Sequence, residues 1–200
     1  ADTVWIVTVR QPTAIDSIAD AYTNRFAELD PLSATALGIP GHDHEMTDLS
    51  PAGLADLAQL ARTTLADLAK ATPVDDVDRV TLAAMNDRLA LSLELDAAGE
   101  YLSSLNVIAS PLQGLRDVLD LMPTATTDDW ANIAARVSRV PEAVRGYIES
   151  LREGARRGLV PAQLQVREGI EQATELADAS SSFFVTFTSG AKPEDVAVPT

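Results

Sequence analysis

The sequence contains no cysteine, which excludes disulfides, thiolate zinc sites and cysteine nucleophiles together. That absence fits a reducing compartment, so a cytoplasmic location is expected. Aromatic residues are scarce, at 4%, and Leu, Ala, Val and Ile must therefore build the core, as suits helices packed closely through small side chains. Long apolar runs are also missing. The longest near the start, Val4 to Val9, is far below the roughly 20 residues of a membrane span and lacks the basic flank of a secretory signal. Basic residues number 15 against 30 acidic ones, a net charge of −15. A field of that sign repels phosphate backbones and anionic lipid surfaces, so neither nucleic acid nor membrane is an expected partner.

Several chemical signatures are missing too. No phosphate-cradling glycine loop, no G-x-S-x-G elbow and no H-E-x-x-H helix occurs. Both histidines fall in one stretch, Gly41-His42-Asp43-His44-Glu45, where they supply at most part of a metal ligand set. The spacing is weak evidence for a metal, since on an irregular acidic loop such residues usually sit in water.

What is present is a globular composition, 46% hydrophobic over 200 residues, with repeated helix signals. Ile15, Ile18, Ala19, Tyr22, Phe26 and Leu29 recur at three- and four-residue steps, predicting a helix over 13–29 that Asp30-Pro31 ends. A short turn of helix is expected through Leu37, then a loop to Glu45. Ser50-Pro51 predicts a helix start, and the acidic group before Val80 predicts another that reaches Leu102. The run Leu89 to Leu95 within it is apolar nearly all round and is expected to be central and buried. Ser110-Pro111 and Thr126 with Asp129 open further helices, the latter with Trp130, Ile133, Ala134 and Val137 inward. Val140-Pro141 is expected to break the chain into a separate helix that stops at Gly158. A last helix is predicted from Pro161 through Ser182, for roughly seven in all. The divisions are an arm over 1–12, a helical domain over 13–187 and a loop over 188–200.

Four residues stand out as candidates to line a cleft. Asn106, Ser110 and Gln113 place polar groups at a helix–loop–helix junction between apolar flanks. Ser110 and Gln113 also make a capping box, a structural reading sufficient by itself. Asn106 either satisfies loop backbone or points into a cleft. Glu94 interrupts the most apolar helix, and Glu100 follows it. A buried carboxylate there needs a partner, for which Arg88 or Arg116 would serve, in a structural ion pair or in a pocket. Finally Phe183, Phe184, Val185 and Phe187 form a dense apolar cluster. It either docks back on the helices or meets a partner, the latter making the chain a stand-alone interaction module.

The stretches Asp30 to Asp43, Leu105 to Thr126, Asp129 to Val166 and Ser181 to Phe184 resemble, in order, the bacterial domain-of-unknown-function family 885. The resemblance implies an all-α, irregular multi-helix bundle, the N-terminal helical part of a larger, mostly helical zinc metallopeptidase-like fold of the H-E-x-x-H type. It implies no catalytic residue and no metal ligand in this segment, zinc being held downstream. The segment would form part of the substrate-cleft wall, with a C-terminal catalytic half of the same protein, or a second chain, as its partner and a peptide as substrate. On that reading a chain stopping at Thr200 stops inside the expected domain.

Overall fold

A computed structural model of the chain describes residues 10–191; residues 1–9 of the expected arm and 192–200 of the expected final loop lie outside them. The described residues form eight α-helices and no strand: α1 Ala14–Leu29, α2 Pro31–Ala36, α3 Pro51–Leu68, α4 Asp76–Ala98, α5 Pro111–Asp117, α6 Thr127–Arg156, α7 Gln163–Ala177 and α8 Phe183–Thr188. Short 3-10 turns follow α4 at Glu100–Ser103 and α5 at Val118–Leu121. No helix among the described residues is long and apolar enough to cross a membrane.

Most helices start where the local chemistry predicts. In α1, Thr13 and Asp16 form a reciprocal capping box, the Asp16 amide donating to Thr13 Oγ1 at 3.2 Å and the Thr13 amide to Asp16 Oδ2 at 2.8 Å. Each bond satisfies an amide that the first helical turn leaves free. Asp75 caps α4 with its side chain alone, accepting from the Asp78 amide at 2.8 Å. Asp30 ends α1 and caps α2, and the buried Thr47 hydroxyl donates to its Oδ1 at 2.6 Å.

Several expectations are corrected. Val140-Pro141 does not break the chain: α6 runs through Pro141 without interruption. Proline removes one hydrogen bond and costs about 3 kcal/mol in a helix interior. Burial on both sides of it offsets that cost, with Ile133 and Arg136 before it and Ala143, Gly146 and Tyr147 after it. The apolar run of α4 is not central either. Leu89 is buried, but Leu91 is 43% and Leu95 36% exposed, because α4 packs against α3 and α1 and leaves its other face open. It stops at Ala98, short of Leu102, since Gly99 takes a left-handed conformation at φ 77°. Ala177 ends α7 earlier than expected, and the aromatic cluster forms its own helix, α8.

The aromatic cluster docks on its own chain. Phe183, Phe184 and Phe187 pack against a core of Val118, Leu119, Met122, Trp130 and Ile133. The Phe183 and Phe187 rings stack at 5.3 Å, and the Arg116 guanidinium lies 4.3 Å above Phe183. Such stacked and cation–π contacts add to the area buried.

At the other end of the domain Arg10 ties α1 to α4. Its Nε donates to Asp75 Oδ2 at 2.6 Å and its Nη2 to the fully buried Asp78 at 2.5 Å, while Nη1 pairs with Asp16. The Thr13 amide, then Arg10, holds the Asp16 carboxyl below the ordinary aspartate value, and Arg10, then the Asp78 amide, does the same for Asp75. A depressed folded pKa gives stability that is present above the unfolded value and lost as pH falls through the folded one. Carboxyl titrations followed by NMR are therefore expected to place both midpoints below 3.8. Arg10→Gln should raise both, and midpoints unmoved by that change would show that the tie does not form.

Candidate functional site

The loop from Leu37 to Ser50, between α2 and α3, carries both histidines and little regular structure. Irregular backbone needs partners for its polar groups, and α6 supplies them. Arg136, with no exposed surface, donates from Nε to the Glu45 carbonyl at 2.8 Å. Its Nη2 donates to the His42 carbonyl at 2.7 Å and to Thr35 Oγ1 at 2.9 Å. Thr35 Oγ1 in turn donates a hydrogen bond to Asp43 Oδ1 at 2.8 Å, so a hydroxyl links the guanidinium to a carboxylate. Burial pulls the Arg136 pKa down, and nearby Asp43 and Glu45 push it back up. One nitrogen, Nη1, has no hydrogen-bond partner among the described residues.

Glycine and serine let the loop sit directly on the helix. A Cβ on Gly146 would lie 2.9 Å from the Ser50 amide nitrogen. One turn on, Ser150 Oγ donates to the Leu49 carbonyl at 2.7 Å. Tyr147, between them, donates to the Ser104 carbonyl at 2.6 Å and anchors the opposite side of α6.

The loop and α6 enclose an open polar groove of about 460 Å³, floored by Thr47, Ser50 and Gly146 and walled by Arg139, Glu142, Arg145 and Glu149. The four charged residues are exposed. Among the described residues neither Arg139 nor Arg145 enters an ion pair, whereas Arg116, Arg156 and Arg157 all do. The groove thus presents two cations and two carboxylates on a floor fixed by Arg136 and Ser150, an arrangement that can take a polar ligand carrying both charges.

The histidines flank this site without forming a metal centre. His42 Nδ1 lies 2.9 Å from Glu45 Oε2, and His44 Nε2 is 3.7 Å from the other oxygen of the same carboxylate. No group of three or more metal-ligating side chains converges among the described residues, so these residues do not fit the ligand set that zinc requires.

The structure brings three of the four sequence candidates together. Asn106 closes its own loop: Oδ1 accepts from the Ile108 and Ala109 amides at 2.9 and 2.7 Å, and Nδ2 donates to the Ala109 carbonyl at 2.9 Å. Gln113 accepts from the Ser110 amide at 2.8 Å, completing the cap of α5, and donates to the Asn106 carbonyl at 3.0 Å. Gln113 also donates to Gln172 of α7 at 2.5 Å, and Gln172 in turn to the Val107 carbonyl at 3.2 Å. Gln113 and Gln172 line a shallow groove of about 160 Å³ between α5 and α7. Glu94 stands apart from them on α4 and is exposed, as is Glu100. The expected buried pair is absent, since Arg88 lies near Asp87 and Arg116 binds Asp117 and Asp120.

Arg136 escaped the sequence reading, which placed Ala134 inward where the structure exposes it. The signal was there in the spacing. Arg136 stands three residues after Ile133 and six after Trp130, on the apolar face, where a charged side chain needs partners from elsewhere in the chain.

Residues 31–197 match the pattern of a family described as bacterial protein of unknown function, DUF885. No curated protein matches the chain.

Proposed function

This chain belongs to the DUF885 family of bacterial proteins of unknown function, and we propose that its helical domain is a non-catalytic wall of the substrate cleft in a zinc-dependent peptidase. The groove between the 46–50 segment and α6 is the part that meets the peptide. One observation carries this reading: in a chain of net charge −15, Arg139 and Arg145 stand at one groove without an ion pair among the described residues, beside Glu142 and Glu149. A short peptide carries a carboxylate, an ammonium and a polar backbone, which such a lining can receive. Because the described histidines and carboxylates do not fit zinc, no step through the metal is assigned to residues of this chain.

The test is a titration of the 200-residue chain with trialanine and with trialanine amide, followed by amide NMR shifts. The free acid is expected to shift residues around 46–50 and 139–149, and to bind several-fold more tightly than the amide. A hydrogen bond to a charged group contributes about 1.5–3 kcal/mol, so Arg139→Gln combined with Arg145→Gln should weaken the acid roughly tenfold or more. Equal binding of acid and amide, or an unchanged double variant, would reject the groove as the peptide contact.

A further inference from the structure

A second groove, between α1, α3 and α4, is independent of the peptide reading. It holds about 170 Å³ and is formed by Tyr22 and Phe26 of α1, Leu54 and Leu57 of α3, Ser92 and Asp96 of α4, and Tyr101 of the following 3-10 turn. Its origin is a size mismatch. α3 contributes Ala58 and Ala61 at its buried face, 5% and 3% exposed, and side chains that small leave space between larger neighbours.

The lining has two distinct parts. The body is apolar, with the Tyr22 and Phe26 rings stacked at 5.9 Å. The chain has only 4 Phe, 3 Tyr and 2 Trp, yet three of those rings converge on this groove. The rim is made of oxygen atoms. Ser92 Oγ and Tyr101 Oη lie 3.5 Å apart, and the Asp96 carboxylate is 28% exposed. Burial, reinforced by the nearby Tyr101, holds the Tyr22 phenol above the usual tyrosine range. Among the described residues, Arg62 is the cation paired with Asp96, at 3.2 Å from a half-exposed position. An exposed pair of that kind is weak and easily exchanged for another cation.

We propose that this groove binds a small aromatic ammonium compound, its ring seated among Tyr22, Phe26, Leu54 and Leu57 and its ammonium group on Asp96. The volume suits one ring, since a cavity of about 150 Å³ lined by apolar side chains holds benzene. Aromatic faces favour a cation over a neutral or anionic group. The carboxylate and the net charge of −15 act in the same direction.

Benzylammonium, benzyl alcohol and benzoate separate this from its alternatives. In titrations of the full 200-residue chain by amide NMR, benzylammonium should shift the amides of 22–26, 54–61 and 92–101. It should bind at least about fivefold more tightly than benzyl alcohol, and benzoate should not bind. Asp96→Asn, at the rim and outside the core, should bring benzylammonium down to the level of the alcohol. Ser92→Phe, which fills the mouth, should remove binding of both, and Leu57→Phe does the same from the other wall should the first variant not fold. Equal binding of ammonium and alcohol, preservation of the difference in Asp96→Asn, or absence of shifts at these amides up to about 10 mM ligand would each overturn the proposal.

Discussion

Arg136→Ala is expected to destabilise the protein by about 3–5 kcal/mol, the loss seen when one member of a buried charged and hydrogen-bonded set is removed. The wild-type side chain satisfies the carbonyls of His42 and Glu45 and the hydroxyl of Thr35. The His42 carbonyl keeps the Glu45 amide at 3.0 Å and Thr35 keeps Asp43, but the Glu45 carbonyl loses its donor, at a cost of about 1–3 kcal/mol. The variant also leaves a cavity where a fully buried side chain stood, and it removes the positive charge that faces Asp43 and Glu45. Arg136→Met restores volume but no donor. It should recover little, because the Glu45 backbone carbonyl still lacks a donor and no neighbouring substitution can remove it. Arg136→Lys keeps the charge but cannot fork to two carbonyls, and should fall between. Urea denaturation gives the stabilities, and hydrogen exchange across 38–50 should show that loop opening in Arg136→Ala while α7 keeps its wild-type protection. An alanine variant within about 1 kcal/mol of wild type would mean that the guanidinium does not hold the loop.

Gly53→Ala is the second large effect, and its direction opposes helix propensity. In an exposed helix interior the change from glycine to alanine stabilises by about 0.8–1 kcal/mol. At Gly53, however, the added Cβ would lie 2.0 Å from the Asp48 carbonyl oxygen. That neighbour is backbone and cannot rotate away, so either the 48–50 turn or the first turn of α3 must move. Overpacking of this kind costs about 1–3 kcal/mol and occasionally more. The displaced turn is the one that caps α3 through Ser50, whose hydroxyl accepts from the Gly53 amide at 3.3 Å. A net loss of about 2–3 kcal/mol is expected, with the cap weakened as well. Gly114→Ala is the matched control. Nothing lies within 4 Å of a Cβ placed there, it sits inside α5, and it should raise stability by about 0.5–1 kcal/mol. Thermal midpoints of the two variants should therefore move in opposite directions. Movement in the same direction would show that local propensity, and not the contact with Asp48, governs position 53.

The two effects meet at one place. Gly53, Ser50 and Gly146 let α3, the loop and α6 approach within van der Waals distance, and Arg136 locks the preceding part of the loop to the same helix. The polar groove owes its floor to those contacts. Its walls are exposed and replaceable, so binding and stability separate experimentally: Arg139 and Arg145 should affect ligands, Arg136 and Gly53 the fold.

The starts of the helices could be read from the amino-acid sequence alone. Thr13, Ser50, Asp75, Ser110 and Thr126 each precede a helix, and each does so through bonds that span three residues or fewer. Chemistry of that range is written next to the residue that uses it. The all-α class and the capping of α5 by Ser110 and Gln113 belong to the same level. The local role of Asn106 is one of two readings the residues allow, and the folded loop decides for it. What the tertiary structure decided depends on contacts far along the chain. Pro141 lies inside a continuous helix because packing on both sides of it outweighs one lost hydrogen bond. Leu91 and Leu95 face outward because α1 and α3 occupy only one side of α4. Arg136 is buried because its partners come from far along the chain, Thr35 being 101 residues away. A residue's neighbours within four positions fix whether a helix begins, but burial is set by what arrives from elsewhere, and no local pattern encodes that arrival.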